Sequence, residues 1–275
     1  MRRPMSTRDQ MENPRPKNSL VLSALVFVVV FGGAVAGMAT RQIQPTGNFA
    51  SEERDSIILA IGLVVTMTSL VLGMLVSSAK TFYDGQKTQV AELSSQIVLV
   101  SDLMTAYGPE TEQVRREALR SLEGTVDRIW PRKRSQSFEL RPVADFVQFY
   151  QHVQLLEPKN EIQASAKAQL LGAALNLRKT YWLMFLQSQH TSVTVPLLSV
   201  VTAWLAIIFY SFGLFAPHHL DVVVTLLICA IAVSSAIYVI LSMNSPFKGI
   251  LRLSPAAVRA VLDQMANCLE EDPTP

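Results

Sequence analysis

One stretch of this sequence, residues 56–107, limits the possible folds more than any other. It has no charged residue between Asp55 and Lys80 and no proline before Pro109. Its first part is apolar and has the ~20 residues that cross a bilayer, whereas its second part is polar with regularly spaced apolar residues. We therefore expect one continuous helix, on the order of 75 Å long, that begins in lipid and continues into water.

Three further uncharged runs also have the length of a membrane span. The chain of 275 residues is 49% hydrophobic and only 17% charged, which is too apolar for an ordinary soluble domain. We therefore expect an all-α membrane protein with four transmembrane helices and a helical cytoplasmic region formed by extensions of spans two and three. The four spans cover residues 20–39, 57–78, 193–215 and 222–242.

The spans divide the chain into five segments. Residues 1–19 are polar and contain three prolines, so we expect a disordered cytoplasmic N-terminus. Residues 20–79 hold the first two transmembrane helices, and residues 193–243 hold the last two. Residues 80–192 form the cytoplasmic helical region, and residues 244–275 form a cytoplasmic C-terminal segment.

The distribution of Lys and Arg predicts the orientation of the chain in the membrane. Of the 24 basic residues, fourteen lie between residues 80 and 191, five lie before residue 18 and none lies between spans three and four. Because basic segments stay on the cytoplasmic side, both termini and the long middle segment should be cytoplasmic. The first apolar run, about 20 residues long, favours a retained span over a cleaved signal peptide.

Span two carries two stripes of residues at helical spacing. The small stripe consists of Gly62, Thr66, Ser69, Gly73 and Ser77, and the bulky stripe of Leu63, Met67, Leu70 and Met74. In one interpretation, the small residues contact neighbouring helices and the bulky ones face lipid or the core. In the other, this helix lines a conduction path, because hydroxyls admit water and Leu or Met side chains form an apolar constriction. The candidate pore-lining residues are Leu63, Thr66, Met67, Leu70, Gly73 and Met74.

Two patterns predict contacts between helices. In span one, Gly33 and Gly37 are four residues apart, a spacing that lets another helix approach closely. Beyond Lys80, apolar residues recur every three or four positions, which predicts one narrow apolar seam. The seam packs either against a helix of the same region or, in a second interpretation, against helices of other subunits around a pore axis. The seam residues are Val90, Leu93, Ile97, Val100, Met104 and Tyr107.

The rest of the cytoplasmic region also has the spacing of helices. Gly108 suits a helix end and Pro109 cannot continue a helix, so the long helix should stop there. Further helices are expected over residues 110–130, 143–156, 161–190 and 256–269.

A basic cluster follows the helix expected over residues 110–130. It consists of Arg132, Lys133 and Arg134, and its simplest interpretation is a solvated turn. The other interpretation is a site for anionic lipid headgroups, which would also include Lys248 and Arg252 after span four. The patch is too short to indicate nucleic-acid binding.

The sequence lacks the usual signs of enzymatic chemistry. It contains no nucleotide-binding, zinc-protease or serine-hydrolase motif, and its histidines and its two cysteines, Cys229 and Cys268, have no metal-ligand spacing. No span carries a charged residue near its centre, which argues against an ion-coupled carrier. We therefore expect a protein that is not an enzyme, with no catalytic residue, no metal and no cofactor.

The segment after span four has a recognisable sequence. Residues 246–255 read PFKGILRLSP, which resembles the P-F-x-G-x-[IL]-R-[VL]-S-P signature of the bacterial bestrophin-like membrane family. The KTFYD sequence that starts at Lys80, the break at Gly108 and Pro109, and Pro196 are similar to the family in a looser way. The resemblance covers roughly residues 20–265.

The resemblance implies a four-span subunit of the bacterial inner membrane that forms a homo-oligomeric channel along span two. Bestrophin necks are aromatic, whereas span two has no aromatic residue, and the acidic calcium clasp of the animal proteins has no counterpart. Ion selectivity and calcium gating are therefore not implied. Two functions remain open: a channel for inorganic ions within the lipid bilayer, and a non-conducting scaffold or sensor that binds a cytoplasmic partner through its helical region.

Overall fold

The described part of the chain is entirely helical. In a computed structural model, the residues described are 17–43, 51–130, 145–189, 194–216, 219–247 and 251–270, and they contain no strand. The helices are α1 (Lys17–Ile43), α2 (Ser51–Tyr107), α3 (Glu112–Ile129), α4 (Asp145–Leu155), α5 (Glu161–Gln189), α6 (Thr194–Phe215), α7 (Leu220–Met243) and α8 (Ala256–Glu270). A short 3-10 turn, Pro109–Thr111, connects α2 to α3. The expected all-α fold is confirmed.

Four of these helices, α1, α2, α6 and α7, are long and apolar enough to cross a membrane. They correspond to the four spans expected from the sequence. The first helix begins at Lys17, so residues 17–19 belong to α1 and not to a disordered N-terminus. Residues 1–16 and 190–193 lie outside the described residues, so the disorder of the former and the continuity of α5 with span three remain predictions.

The long second helix continues past Lys80 without a break, as its sequence predicts. It has 57 residues and no internal proline. The chain divides into two compact units within this helix, at the bond between Lys80 and Thr81. Unit one contains α1, the first part of α2, α6 and α7, and unit two contains the rest of α2 with α3, α4, α5 and α8.

Unit one is built on a close contact between α1 and α6. A Cβ atom at Gly33 would lie 2.7 Å from the carbonyl oxygen of Ala206, and one at Gly37 would overlap the carbonyl oxygen of Tyr210. From the other side, a Cβ atom at Gly213 would overlap the backbone of Ala34. Only glycine allows backbones to approach this closely, so the contact predicted from Gly33 and Gly37 is confirmed and its partner is α6.

Unit two is built on the apolar seam of α2. All six seam residues are at most 8% exposed, and the five from Val90 to Met104 form one cluster with residues of α3, α5 and α8. From α5, for example, Leu170 and Met184 belong to this cluster and are fully buried. Side chains that are buried within one chain have no surface left for another subunit, so the pore-axis interpretation of the seam is wrong and packing within the region is correct.

The end of α2 has the chemistry expected at Gly108 and Pro109. Gly108 has a φ angle of 121°, which favours glycine because a Cβ atom would be strained there. The last carbonyl groups of the helix are satisfied by side chains beyond it. Thr111 Oγ1 donates to Met104 O at 2.7 Å, and Gln163 Nε2 donates to Tyr107 O at 2.9 Å.

Candidate functional site

The apolar part of α2 is the least buried of the four spans. Only 6% of its apolar window is buried within the chain, compared with 22% for α1, 39% for α6 and 28% for α7. Its buried residues in this part are Thr68, Leu75 and Ala79, and the last two belong to the core of unit one. These three lie along one edge of the helix, since the spacings of seven and four residues keep to one face. The opposite face of α2 is left uncovered by its own chain.

All six candidate pore-lining residues lie on this uncovered face. The side chains of the bulky stripe are between 53% and 68% exposed, and Thr66 and Gly73 are exposed as well. At about 100° per residue, Leu63, Leu70 and Met74 fall within a narrow arc that points away from Leu75 and Ala79. The structure therefore brings the predicted residues onto one face of one helix. We call this surface, residues 63–74 on the side away from Leu75, the open face.

Gly73 on the open face and Gly62, which directly precedes that face, are not required for packing within the chain. A Cβ atom at Gly62 or Gly73 would meet nothing within 4 Å, in contrast to Gly37. Glycine inside a helix costs roughly 1 kcal/mol relative to alanine, so these two positions weaken α2 without a compensating contact in the chain itself. Thr66 Oγ1 donates to Leu63 O at 2.8 Å, which leaves the lone pairs of that hydroxyl oxygen available to water.

Polar contacts beside the seam hold α2 against α5. Gln86 and Gln89 both donate through Nε2 to Oε1 of Gln187, at 2.7 and 3.0 Å. Two turns beyond Gln89, Gln96 Nε2 donates to Thr180 Oγ1 at 3.1 Å. Gln86 is fully buried and occupies a seam position, four residues before Val90. A buried polar residue in an apolar seam fixes the register of two helices, here α2 and α5 within unit two.

This amide cluster was not singled out by the sequence analysis. The available signal was the extension of the seam toward the membrane, where the spacing of three and four residues places Tyr83 and Gln86 in line with Val90. A glutamine in such a line marks a polar contact with a partner helix. Its partner, Gln187, carries no comparable signal because the sequence does not show which residues of α5 face α2.

The two ends of the signature segment after span four are hydrogen-bonded to each other, and the segment also binds the end of α3. The Leu253 N–H donates to Pro246 O at 2.8 Å, which closes a loop. Trp130 Nε1 donates to Leu253 O at 2.9 Å, and its ring packs against the edge of Phe247 at 5.8 Å. Trp130 is 2% exposed, so its indole is a buried anchor for this loop. The signature therefore has a structural role in this chain: it fixes the end of α3 to the segment before α8.

Of the five candidate headgroup residues, one can be placed. Arg252 is exposed and directly precedes Leu253, whose carbonyl holds Trp130. The other four lie outside the described residues: Arg132, Lys133, Arg134 and Lys248.

Three titratable groups with altered pKa values lie around the turn at Gly108. A hydrogen bond from Lys159, at 2.7 Å, lowers the pKa of Glu110, and the same contact raises the pKa of Lys159. Burial raises the pKa of the Tyr107 phenol. The exposed ion pair joins the turn after α2 to the start of α5. In the described ranges no group of three or more His, Cys, Asp or Glu side chains could hold a metal ion.

The helices define the class of this protein. Four apolar helices of spanning length satisfy their backbone hydrogen bonds internally, as a lipid environment requires, and make this an α-helical multi-pass membrane protein. Residues 22–258 match the family model of the bestrophin-like domain, so the chain belongs to the bestrophin-like family. The resemblance inferred from the signature segment is thereby confirmed. Neither a curated protein nor a solved structure matches the chain.

Proposed function

We propose that this protein is the subunit of a homo-oligomeric ion channel of the bacterial inner membrane, with its pathway lined by α2. The observation that carries this proposal is the open face. The other three spans bury larger shares of their apolar windows inside the chain, whereas α2 leaves this face uncovered. Thr66 and Gly73 lie among its leucines and methionines, and small residues of this kind are enriched where membrane helices meet, which supports an assembly of copies at this face. Membership of the bestrophin-like family supports the same function.

The composition of the open face suggests how such a pathway works. In an assembly around an axis, Leu63, Met67, Leu70 and Met74 would form apolar rings, which close a pore by dewetting. The glycines and the Thr66 hydroxyl between them would leave space and hydrogen bonds for water. The proposed substrates are hydrated inorganic ions, and the proposal includes no catalytic step.

The proposal also includes an orientation and a lipid contact. The excess of Lys and Arg in the middle segment supports cytoplasmic termini and a cytoplasmic unit two. Arg252 is exposed near the end of span four, which supports a contact with anionic headgroups. We extend that contact to Lys248 and to Arg132, Lys133 and Arg134 because Trp130 and Leu253, which flank these residues in the chain, are hydrogen-bonded to each other.

Reconstitution into planar bilayers tests the channel. Purified wild-type protein should give discrete conductance steps, and Leu70→Ala or Met67→Ala should raise the unitary conductance by widening an apolar ring. The matched control is Leu25→Ala on α1, where a leucine is 55% exposed but does not lie on α2. A bilayer that stays silent with well-folded oligomeric protein, or an equal response to Leu25→Ala, contradicts the proposal.

A second candidate function is a non-conducting scaffold or sensor, and one observation favours it. Between α2 and α5 in unit two lies an apolar groove of about 390 Å³, lined by Leu103, Ala106 and Ile162 among others. Ile162 is 74% exposed, so the groove could receive an apolar side chain of a cytoplasmic partner. Ile162→Glu should abolish capture of such a partner by the full chain, whereas Leu155→Glu on α4 should not. Ion conductance that is unaffected by Ile162→Glu would favour the channel instead.

A further inference from the structure

Three glutamine side chains meet between α2 and α5 within unit two. Gln86 and Gln89 lie three residues apart on α2, a spacing at which helical side chains are neighbours. Their Nε2 atoms both donate to Oε1 of Gln187 on α5, at 2.7 and 3.0 Å. Because the two bonds share one acceptor, the three amide groups lie together. We call these three side chains the glutamine layer.

The glutamine layer contains two buried oxygen atoms that lack a hydrogen-bond donor. They are Oε1 of Gln86 and Oε1 of Gln89, and no described residue donates to either atom. Gln86 as a whole is 0% exposed, so bulk solvent does not reach it. Buried carbonyl oxygens normally have a partner, because burial without one loses the hydrogen bond that water supplies in the unfolded chain. Two such oxygens in one layer point to a donor that is not one of its own side chains.

Both oxygens lie near the acceptor that the layer shares. The oxygen and the nitrogen of one amide group are about 2.2 Å apart, so each of the two oxygens lies at most about 5 Å from Gln187 Oε1. A group that serves both oxygens must therefore be small, and it must donate twice.

A water molecule has this chemistry. It has two hydrogen atoms to donate, and a buried water typically makes about three hydrogen bonds to polar groups that otherwise lack a partner. Water also accepts hydrogen bonds, so it would serve the same two positions if the amide groups were turned by 180°. A metal cation fits this place less well. Calcium, for example, takes roughly six to eight oxygen ligands, and the described residues contain no cluster of three or more acidic, His or Cys side chains.

We propose that the glutamine layer binds one ordered water molecule, which donates to Gln86 Oε1 and to Gln89 Oε1. The water completes the hydrogen bonds of the polar layer that sets the register of α2 against α5. The site lies wholly within unit two and does not depend on conduction.

A high-resolution structure of the full-length protein tests the site. We expect one density peak about 2.8 Å from both oxygens, the usual length of an O–H···O hydrogen bond. Gln86→Met keeps the length of the side chain but removes one of the two acceptors, so this variant should lose the peak. Gln169→Met, at an exposed glutamine of α5, is the matched control and should keep it. A wild type with no peak, or with a peak within reach of only one of the two oxygens, overturns the inference.

Thermal unfolding in different salts separates water from a bound cation. The difference in Tm between wild type and Gln86→Met should be the same in sodium, potassium and ammonium chloride at equal ionic strength, because water is present in all three. A cation that raises the Tm of wild type and not that of Gln86→Met overturns the water site. Each of these overturning results leaves the proposed channel standing, since the open face contains none of the three glutamines.

Discussion

Glycine occupies three different environments in this protein, and each predicts a different response to substitution. Gly37 lies against the backbone of α6, so a side chain has no space there. Gly108 has a positive φ angle at the end of α2. Gly73 lies on the open face, where a Cβ atom would meet nothing of its own chain. Glycine thus allows a close helix contact at Gly37 and a change of chain direction at Gly108, whereas at Gly73 it lies on an uncovered surface.

Substitution of Gly37 by alanine should destabilise unit one. The added Cβ atom would overlap the carbonyl oxygen of Tyr210, and since both groups are fixed to backbones, the two helices must move apart. Overpacking of this kind typically costs about 1–3 kcal/mol. Gly32→Ala is the control, because a Cβ atom at Gly32 meets nothing within 4 Å. Thermal unfolding in detergent should show a lower Tm for Gly37→Ala alone, and equal values for the two variants would contradict the contact.

The buried indole of Trp130 makes a separate prediction for unit two. Trp130→Phe keeps an aromatic ring but removes the N–H group that donates to Leu253 O. The buried carbonyl is then left without this donor, at a cost of about 1–3 kcal/mol. Trp182→Phe is the control, since Trp182 is 43% exposed on α5. Denaturant unfolding of the full chain should give a lower free energy of unfolding for Trp130→Phe than for Trp182→Phe. Equal values would show that the hydrogen bond does not stabilise the fold.

The ion pair between Glu110 and Lys159 predicts a dependence of stability on pH. The folded chain lowers the pKa of Glu110 below its usual range through the hydrogen bond from Lys159. A carboxyl group with a lowered pKa in the folded state stabilises the fold above its unfolded pKa and loses that contribution as pH falls through the folded pKa. Wild type should therefore be more stable than Lys159→Gln at neutral pH, and their Tm values should converge in acid. If the difference in Tm between wild type and Lys159→Gln stayed constant in acid, where Glu110 is protonated, the ion pair would not be its cause.

Within α2, the sequence predicted the periodicity that the structure shows, but it could not predict which helices pack against it. The absence of proline before Pro109 predicts the continuous helix, and the heptad spacing predicts the buried seam from Val90 to Tyr107. The stripe of Thr68, Leu75 and Ala79 could not be predicted, because Leu70 and Leu75 look alike until the position of neighbouring helices is known. For the same reason, Gly37 predicted a close helix contact, but the sequence did not show that α6 is the partner helix.

The open face can be tested by the pattern of thiol reactivity along α2. In a background with Cys229→Ala and Cys268→Ser, single cysteines at Thr66 and Gly73 should react with a water-soluble, membrane-impermeant thiol reagent. Val28→Cys on α1 is the control, because Val28 is 62% exposed on a helix outside the proposed pathway and should face lipid. Reaction at Thr66→Cys with none at Val28→Cys indicates water along α2. Equal protection of all three cysteines would mean that the open face contacts lipid.

At the scale of the whole molecule, the described chain completes two apolar cores and leaves the open face of α2 uncovered. The seam, the glycine contact and the Trp130 anchor are all satisfied within one copy. The open face, in contrast, is covered by no helix of the described part of that copy. The sequence could indicate this surface, because its stripes are visible in span two. It could not give the number of copies, which depends on the shape of an interface and not on the period of a helix.

The last prediction concerns that assembly. Leu99 is 48% exposed on the part of α2 that belongs to unit two. An exposed leucine on a face of Ser, Thr and Asp suggests a contact between copies, so Leu99→Lys should convert a discrete oligomer into smaller species. Leu155→Lys on α4 introduces the same charge at an exposed leucine elsewhere and should leave the oligomer intact. Native mass spectrometry of protein extracted in mild detergent measures both outcomes. A monomeric wild type would contradict the channel, since one copy of the open face cannot surround an ion.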